Sequence, residues 1–216
     1  MKLEGAIFDV DGTILDSMPM WDNLAATYLR SRHIEPEPEL NLVLKSLTVE
    51  QAACYFQKQY GLRDNITSIN KGVFDLARKF YLEKIGVKPG VAHFLQCLAE
   101  KKIPMCIATA TDKDLVLAAL QRNKLAGYFV EIVTCTEAGG KTRPDIFMQA
   151  RAVLGTPIKS TYVFEDAYHA IKTAKQAGFP VVAVYDESAV QEQKDIRAWA
   201  DKYVYVLTEM EADLGL

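Results

Sequence analysis

Ala6-Ile7-Phe8-Asp9-Val10-Asp11-Gly12-Thr13 starts as an apolar run and ends in two carboxylates and a glycine. A run that is apolar at consecutive positions predicts a strand, from Ala6 to Val10, covered on both faces. Alternation along such a strand puts Asp9 and Asp11 on the same side, where the chain leaves the sheet. Two carboxylates this close repel each other, so a bound cation or a shared proton is needed to hold them. Gly12 lets the backbone turn sharply. The plainer alternative is a loop whose aspartates only cap the following helix.

Outward from this strand the pattern repeats. Further apolar runs lie at Met105 to Thr109, Val130 to Thr134, Thr161 to Phe164, Val181 to Val184 and Tyr203 to Val206. Helical periods separate them, such as Ile146, Phe147, Ala150, Val153, Leu154, and Ile171, Ala174, Lys175 with Gly178 as a stop. Strand–helix alternation predicts an α/β fold: a Rossmann-like, three-layer core of parallel sheet with helices on both faces. One interval breaks the rhythm. Between Asp16 and Gly86 no buried strand is visible, while Trp21, Leu24, Ala25, Tyr28, Leu29 and later Phe74, Leu76, Ala77, Phe80, Tyr81 recur at helical spacing. The expected organisation is a core made of 1–15 and 87–216, with a helical domain, 16–86, inserted between two hinges.

Composition narrows the class. The 216 residues are half apolar and one quarter charged, which describes a globular chain with a proper core. A formal net charge of −3 argues against a nucleic-acid or anionic-membrane surface. Cys54, Cys97, Cys106 and Cys135 show no paired spacing, so four free thiols in a reducing compartment are expected. No signal segment and no apolar stretch of ~20 residues is present, and the expected location is cytoplasmic. Asn65-Ile66-Thr67 matches a glycosylation acceptor by chance.

The other strand ends also carry reactive groups. Ala108-Thr109-Ala110-Thr111-Asp112 offers a hydroxyl and backbone amides to a phosphate oxygen, although Thr111 or Asp112 as a simple helix cap explains much of it. Gly139-Gly140-Lys141-Thr142 suggests a P-loop, but Cys135 stands where the motif needs its first glycine and Pro144 follows too closely. Lys141 is then either a solvated loop lysine or a point charge for a phosphate or a carboxylate. Phe164-Glu165-Asp166-Ala167 closes the set with an acidic pair. With Asp9 it supplies the hard oxygen ligands magnesium prefers; alone it could be a helix cap.

Two aspartates, a hydroxyl, a lysine and an acidic pair, in that order along the strand ends, resemble the four signature motifs of the haloacid dehalogenase-like hydrolase superfamily. The resemblance covers the whole chain, since the helical insertion is similar to the small cap of the beta-phosphoglucomutase-like branch. It is carried best by Phe8 to Ser17 and Val163 to Asp166. It implies a catalytic set of Asp9, Asp11, Thr109 and Lys141, with Asp9 as nucleophile and Asp11 as general acid/base. Thr109, Ala110 and Lys141 would bind the substrate phosphate; Asp9, Asp11 (through its backbone carbonyl), Glu165 and Asp166 would hold Mg2+. Thr142, Ala167 and Ala170 depart from residues common in the family without removing a reacting group.

Phosphate monoesters hydrolyse so slowly unaided that an enzyme has up to ~10²¹-fold of acceleration to supply. The expected function is therefore a magnesium-dependent phosphatase acting on a small phosphorylated metabolite, a sugar phosphate or similar phosphomonoester, through an aspartyl-phosphate. The expected state is a monomer with no nucleic-acid or membrane partner. A sugar phosphomutase of the same fold and a non-catalytic phosphometabolite-binding or interaction protein are the competing readings. His33, His93 and His169 are read as structural or surface residues.

Overall fold

The computed structural model describes residues 2–44 and 47–215. Its chain forms two compact units: Met1–Met18 with Ile85–Leu216, and Pro19–Lys84.

The first unit is built on a six-stranded sheet: β1 (Gly5–Phe8), β2 (Met105–Thr109), β3 (Phe129–Thr134), β4 (Thr161–Glu165), β5 (Val181–Val184) and β6 (Lys202–Val204). Every neighbouring pair is parallel, in the order β3-β2-β1-β4-β5-β6. The helices of this unit are α5 (Val91–Glu100), α6 (Lys113–Arg122), α7 (Cys135–Ala138), α8 (Asp145–Leu154), α9 (Tyr168–Gln176), α10 (Gln193–Trp199) and α11 (Glu211–Leu214). The α/β reading, with a parallel Rossmann-like core, is what the structure has.

Alternate residues of the strands serve opposite faces. Ile7, Cys106, Val163 and Val181 pack with Ile146, Phe147, Ile171, Ala174 and Ile196 from α8, α9 and α10. The neighbouring position, Phe8, stacks on its register partner Phe164 with ring centroids 4.5 Å apart. It also meets Phe94 of α5 edge-on at 6.4 Å and Phe129 of β3 at 6.1 Å. Covering on both faces explains why these strands read as continuous apolar runs.

Two strands stop two residues short of the expected end. β1 stops at Phe8 rather than Val10 because the Val10 carbonyl accepts the amides of Thr13, Ile14 and Leu15, folding the chain into a tight turn. Asp11 therefore lies in that turn, not on a strand pleat shared with Asp9. β6 stops at Val204 rather than Val206, since the Tyr205 and Val206 amides both donate to Glu209 Oε1 at 2.9 Å.

The second unit contains most of α1 (Met18–Ser31), with α2 (Leu40–Leu44), α3 (Val49–Tyr60) and α4 (Ile66–Glu83). Tyr28, Leu29, Leu40, Phe56, Leu62 and Ile69 form its core. Thr48 and Gln51 cap α3 reciprocally. Asn65 caps α4 by accepting the Ser68 amide at 2.8 Å, so this side chain has a structural use unrelated to glycosylation. The passages into and out of this unit pair with each other: Asp16 N–H donates to Gly86 O at 3.0 Å and Lys88 N–H to Ile14 O at 2.9 Å. Those bonds keep residues 16–18 and 85–86 with the sheet-bearing unit, whereas the sequence reading placed them in the insertion.

Candidate active site

β1 and β4 are neighbours in space but not in sequence, so the sheet's connections reverse direction between them. A crevice for ligands opens at the carboxyl ends of such strands. Asp9 leaves β1 there, held by its amide to Phe164 O at 2.9 Å, and Glu165 ends β4 with Asp166 just beyond.

Lys141 reaches the same place from the connection after β3. A capping box between Thr134 and Glu137 starts α7, and Gly139 and Gly140, at φ 80° and 95°, then turn the chain in a way that suits glycine. The Lys141 side chain, only 7% exposed, donates to Asp9 Oδ1 and to Glu165 Oε2, the latter at 2.8 Å. Glu165 Oε1 accepts the amides of Asp166 and Ala167 at 3.3 and 3.2 Å. Asp166 Oδ1 accepts the Thr13 hydroxyl at 3.2 Å. At Gly12, φ is +85° and an added Cβ would collide with Asp166 Oδ2, so glycine is needed there on both counts.

Beside this cluster, the Ser17 and Thr111 hydroxyls donate to the two oxygens of Asp11 at 2.6 and 2.7 Å. The buried Thr109 Oγ1 accepts the Thr111 amide at 3.1 Å and keeps its own proton to donate. Ala110 is exposed at the end of β2. Asp9, Lys141, Glu165 and Asp166 thus meet directly, while Asp11, Thr109 and Ala110 sit at neighbouring strand ends.

Three buried carboxylates cluster beside one ammonium, which bonds two of them, Asp9 and Glu165. Burial, then the Glu165 charge, pushes Asp9 up to about 7, with Lys141 only partly opposing the rise. Burial and the charges of Glu165 and Asp9 likewise hold Asp166 well above the usual carboxylate range. Burial works to lower the Lys141 pKa, but Asp9 and Glu165 outweigh it and the net shift is upward. The ligand oxygens of Asp9, Glu165 and Asp166 lie within 4.8 Å of one another. A compact, over-charged set of hard oxygen donors fits a small divalent cation.

Several contributors are not legible in the sequence. Thr13, Ser17 and Thr111 orient carboxylates, yet each reads as an ordinary turn or helix-start hydroxyl. Lys88 is the larger omission. Its side chain is 12% exposed, and the ammonium donates to Gly12 O and Tyr185 O at 2.6 Å and to Asp186 Oδ2 at 2.7 Å. It thereby pins the turn that abuts Asp166, and no local signal identifies three partners 76 to 98 residues away.

The sequence model of a family described as haloacid dehalogenase-like hydrolase matches residues 6–184. The chain belongs to that family. Among curated relatives, Thermotoga maritima phosphorylated carbohydrates phosphatase is 24% identical over 177 residues, covering 82% of each chain. Escherichia coli hexitol phosphatase A is 28% identical, over 85% of this chain and 84% of its own length. Rhodobacter capsulatus phosphoglycolate phosphatase is 29% identical, over 91% and 90%. Among solved structures, CbbY from Rhodobacter sphaeroides with bound phosphate superposes with a TM-score of 0.78 at 22% identity, covering 99% of this chain and all of that one. A Thermotoga maritima protein described provisionally as a beta-phosphoglucomutase gives 0.84 at 23% identity over 99% of this chain and 100% of its own. These place this haloacid dehalogenase-like hydrolase on the fold of the beta-phosphoglucomutase-like branch.

Proposed function

We propose that this hydrolase is a magnesium-dependent phosphatase of a small phosphorylated metabolite, in which Asp9 is the nucleophile. The enzyme is a phosphoric monoester hydrolase, as its curated relatives are named, and the carbohydrate and hexitol phosphatases among them favour a sugar or polyol phosphate. The observation that carries the mechanism is the Lys141 ammonium between Asp9 and Glu165, with Asp166 completing a buried acidic cluster at the ends of β1 and β4.

Asp9, Glu165 and Asp166, with the Asp11 backbone carbonyl, would hold the cation, which when bound offsets charge on the transferring phosphoryl group. Lys141 holds Asp9 Oδ1, so attack on phosphorus falls to the other carboxylate oxygen. A new P–O bond to Asp9 forms as the ester P–O bond breaks, giving an aspartyl-phosphate. Asp11, oriented by Ser17 and Thr111, protonates the departing alkoxide. It then takes a proton from the water that cleaves the aspartyl-phosphate. The Thr109 hydroxyl and the Ala110 amide donate to phosphoryl oxygens, and Lys141 supplies positive charge where negative charge develops. The helical unit acts as the cap, limiting bulk water during turnover. No helix of the described residues is long and apolar enough to cross a membrane.

The test is phosphate release from a panel of sugar phosphates, polyol phosphates, phosphoglycolate and nucleotides, with magnesium and with a chelator. Release should stop in the chelator and return with magnesium, and Asp9→Asn should remove essentially all turnover while the fold persists. Near-normal turnover by Asp9→Asn would falsify the covalent mechanism. Isomerisation of glucose 1-phosphate with little free phosphate would instead indicate a mutase using the same Asp9.

A further inference from the structure

His93 and Cys97 are four residues apart on α5, so they project from one face of that helix. Glu211, the first residue of α11, meets that face. His93 Nε2 lies 3.7 Å from Cys97 Sγ and 3.5 Å from Glu211 Oε1. Around a tetrahedral zinc ion, bond lengths of ~2.0–2.3 Å make the nitrogen–sulfur edge about 3.5 Å and the nitrogen–oxygen edge about 3.4 Å. The imidazole nitrogen is therefore already spaced from the sulfur and from the carboxylate oxygen as a fellow ligand would be, and all three atoms lie within 4.8 Å of one another, although residues 97 and 211 are far apart in sequence.

One further observation points to a ligand: Glu211 Oε1 is buried and, beyond the His93 ring at 3.5 Å, has no hydrogen-bond partner among the described residues. The position of α11 is also set independently of the trio: Lys101, just past α5, donates to Gly215 O at 2.7 Å. Leu207 and Met210, immediately before α11, are buried in the same unit. The trio is thus held ready rather than assembled by chance side-chain reach. A set of one imidazole nitrogen, one thiolate and one carboxylate suits zinc better than magnesium, which prefers oxygen alone.

We propose that His93, Cys97 and Glu211 form a zinc site, separate in residues and chemistry from the Asp9 cluster, that ties α11 to α5. Cys97 gives up its thiol proton to solvent as its sulfur takes the metal. The fourth position is left to water, reached past the exposed His93. Occupancy links residue 97 to residue 211 and stabilises α11 against fraying.

Cobalt(II) alone, added to the full-length reduced protein in excess magnesium, is the probe. A thiolate-to-cobalt charge-transfer band should saturate near one equivalent. It should vanish in Cys97→Ser, persist in Cys135→Ser, and need at least about tenfold more cobalt in His93→Gln and Glu211→Gln, since losing even an outer-shell partner costs that much. Zinc should raise the melting temperature of the wild type but not of His93→Gln, an exposed position whose change leaves the fold intact. Absence of the band at saturating cobalt, its survival in Cys97→Ser, or an equal zinc-dependent rise in His93→Gln overturns the site. None of these readouts depends on phosphatase activity.

Discussion

Lys88 shows how a residue outside the Asp9 cluster holds the turn beside it. All three of its ammonium protons are used, on Gly12 O, Tyr185 O and the Asp186 carboxylate. The side chains of Lys88 and Asp186 are 12% and 7% exposed, so removing one partner strands the other's charge. Breaking such a pair costs about 3–5 kcal/mol. Lys88→Met should therefore lose about that much stability in urea denaturation, and Lys88→Met/Asp186→Asn should recover part of it because the orphan carboxylate is gone. If the double variant is no more stable than the single, Lys88 acts through the two carbonyls alone. Gly12→Ala should be poorly tolerated for a different reason: a positive φ and a collision with Asp166 Oδ2 act together.

Among elements, β1 is enclosed on both edges and both faces. Its four residues are all buried, and it pairs with β2 on one edge and β4 on the other. Phe8 fills the aromatic face of the sheet one residue before Asp9, against Phe94, Phe129 and Phe164. Phe8→Ala should cost about 3–5 kcal/mol through the lost ring and the cavity left behind. It should also depress turnover, since Asp9 is aimed by this strand. A loss below about 1 kcal/mol in denaturant titration would mean that the face collapses onto the gap. In the helical unit, Thr48→Ala removes one half of the α3 capping box and should cost about 1 kcal/mol, with no direct effect on chemistry.

Across the whole molecule, stability and reactivity oppose each other at one place. The sheet brings Asp9, Glu165 and Asp166 into a buried cluster with a single lysine, and both Asp9 and Asp166 are pushed above their usual range. Neutralising one of them relieves that repulsion. Asp166→Asn should raise the melting temperature in a chelator, yet lose the further rise that magnesium gives the wild type, and lose most activity. Should Asp166→Asn melt lower than wild type in the chelator, its Thr13 bond outweighs the repulsion, and the cluster is less strained than its charges suggest.

The periodicity of the apolar runs was enough to call the parallel sheet, because strands buried on both faces cannot hide polar residues at alternate positions. It also drew attention to the candidate site residues, since Asp9, Thr109, Lys141 and Glu165 each sit where an apolar run or a glycine pair ends. The helical insertion was visible as an interval without strands, but α2 is short, with only Leu40 buried, and contacts alone set the limits of that unit at Pro19 and Lys84. The turn at Val10, which takes Asp11 off the strand, depends on one carbonyl accepting three amides. Lys88 with Asp186, and His93 with Glu211, depend on partners roughly a hundred residues away. Local pattern records what a segment must bury, whereas ion pairs and metal-competent clusters arise from elements that only the folded chain brings side by side.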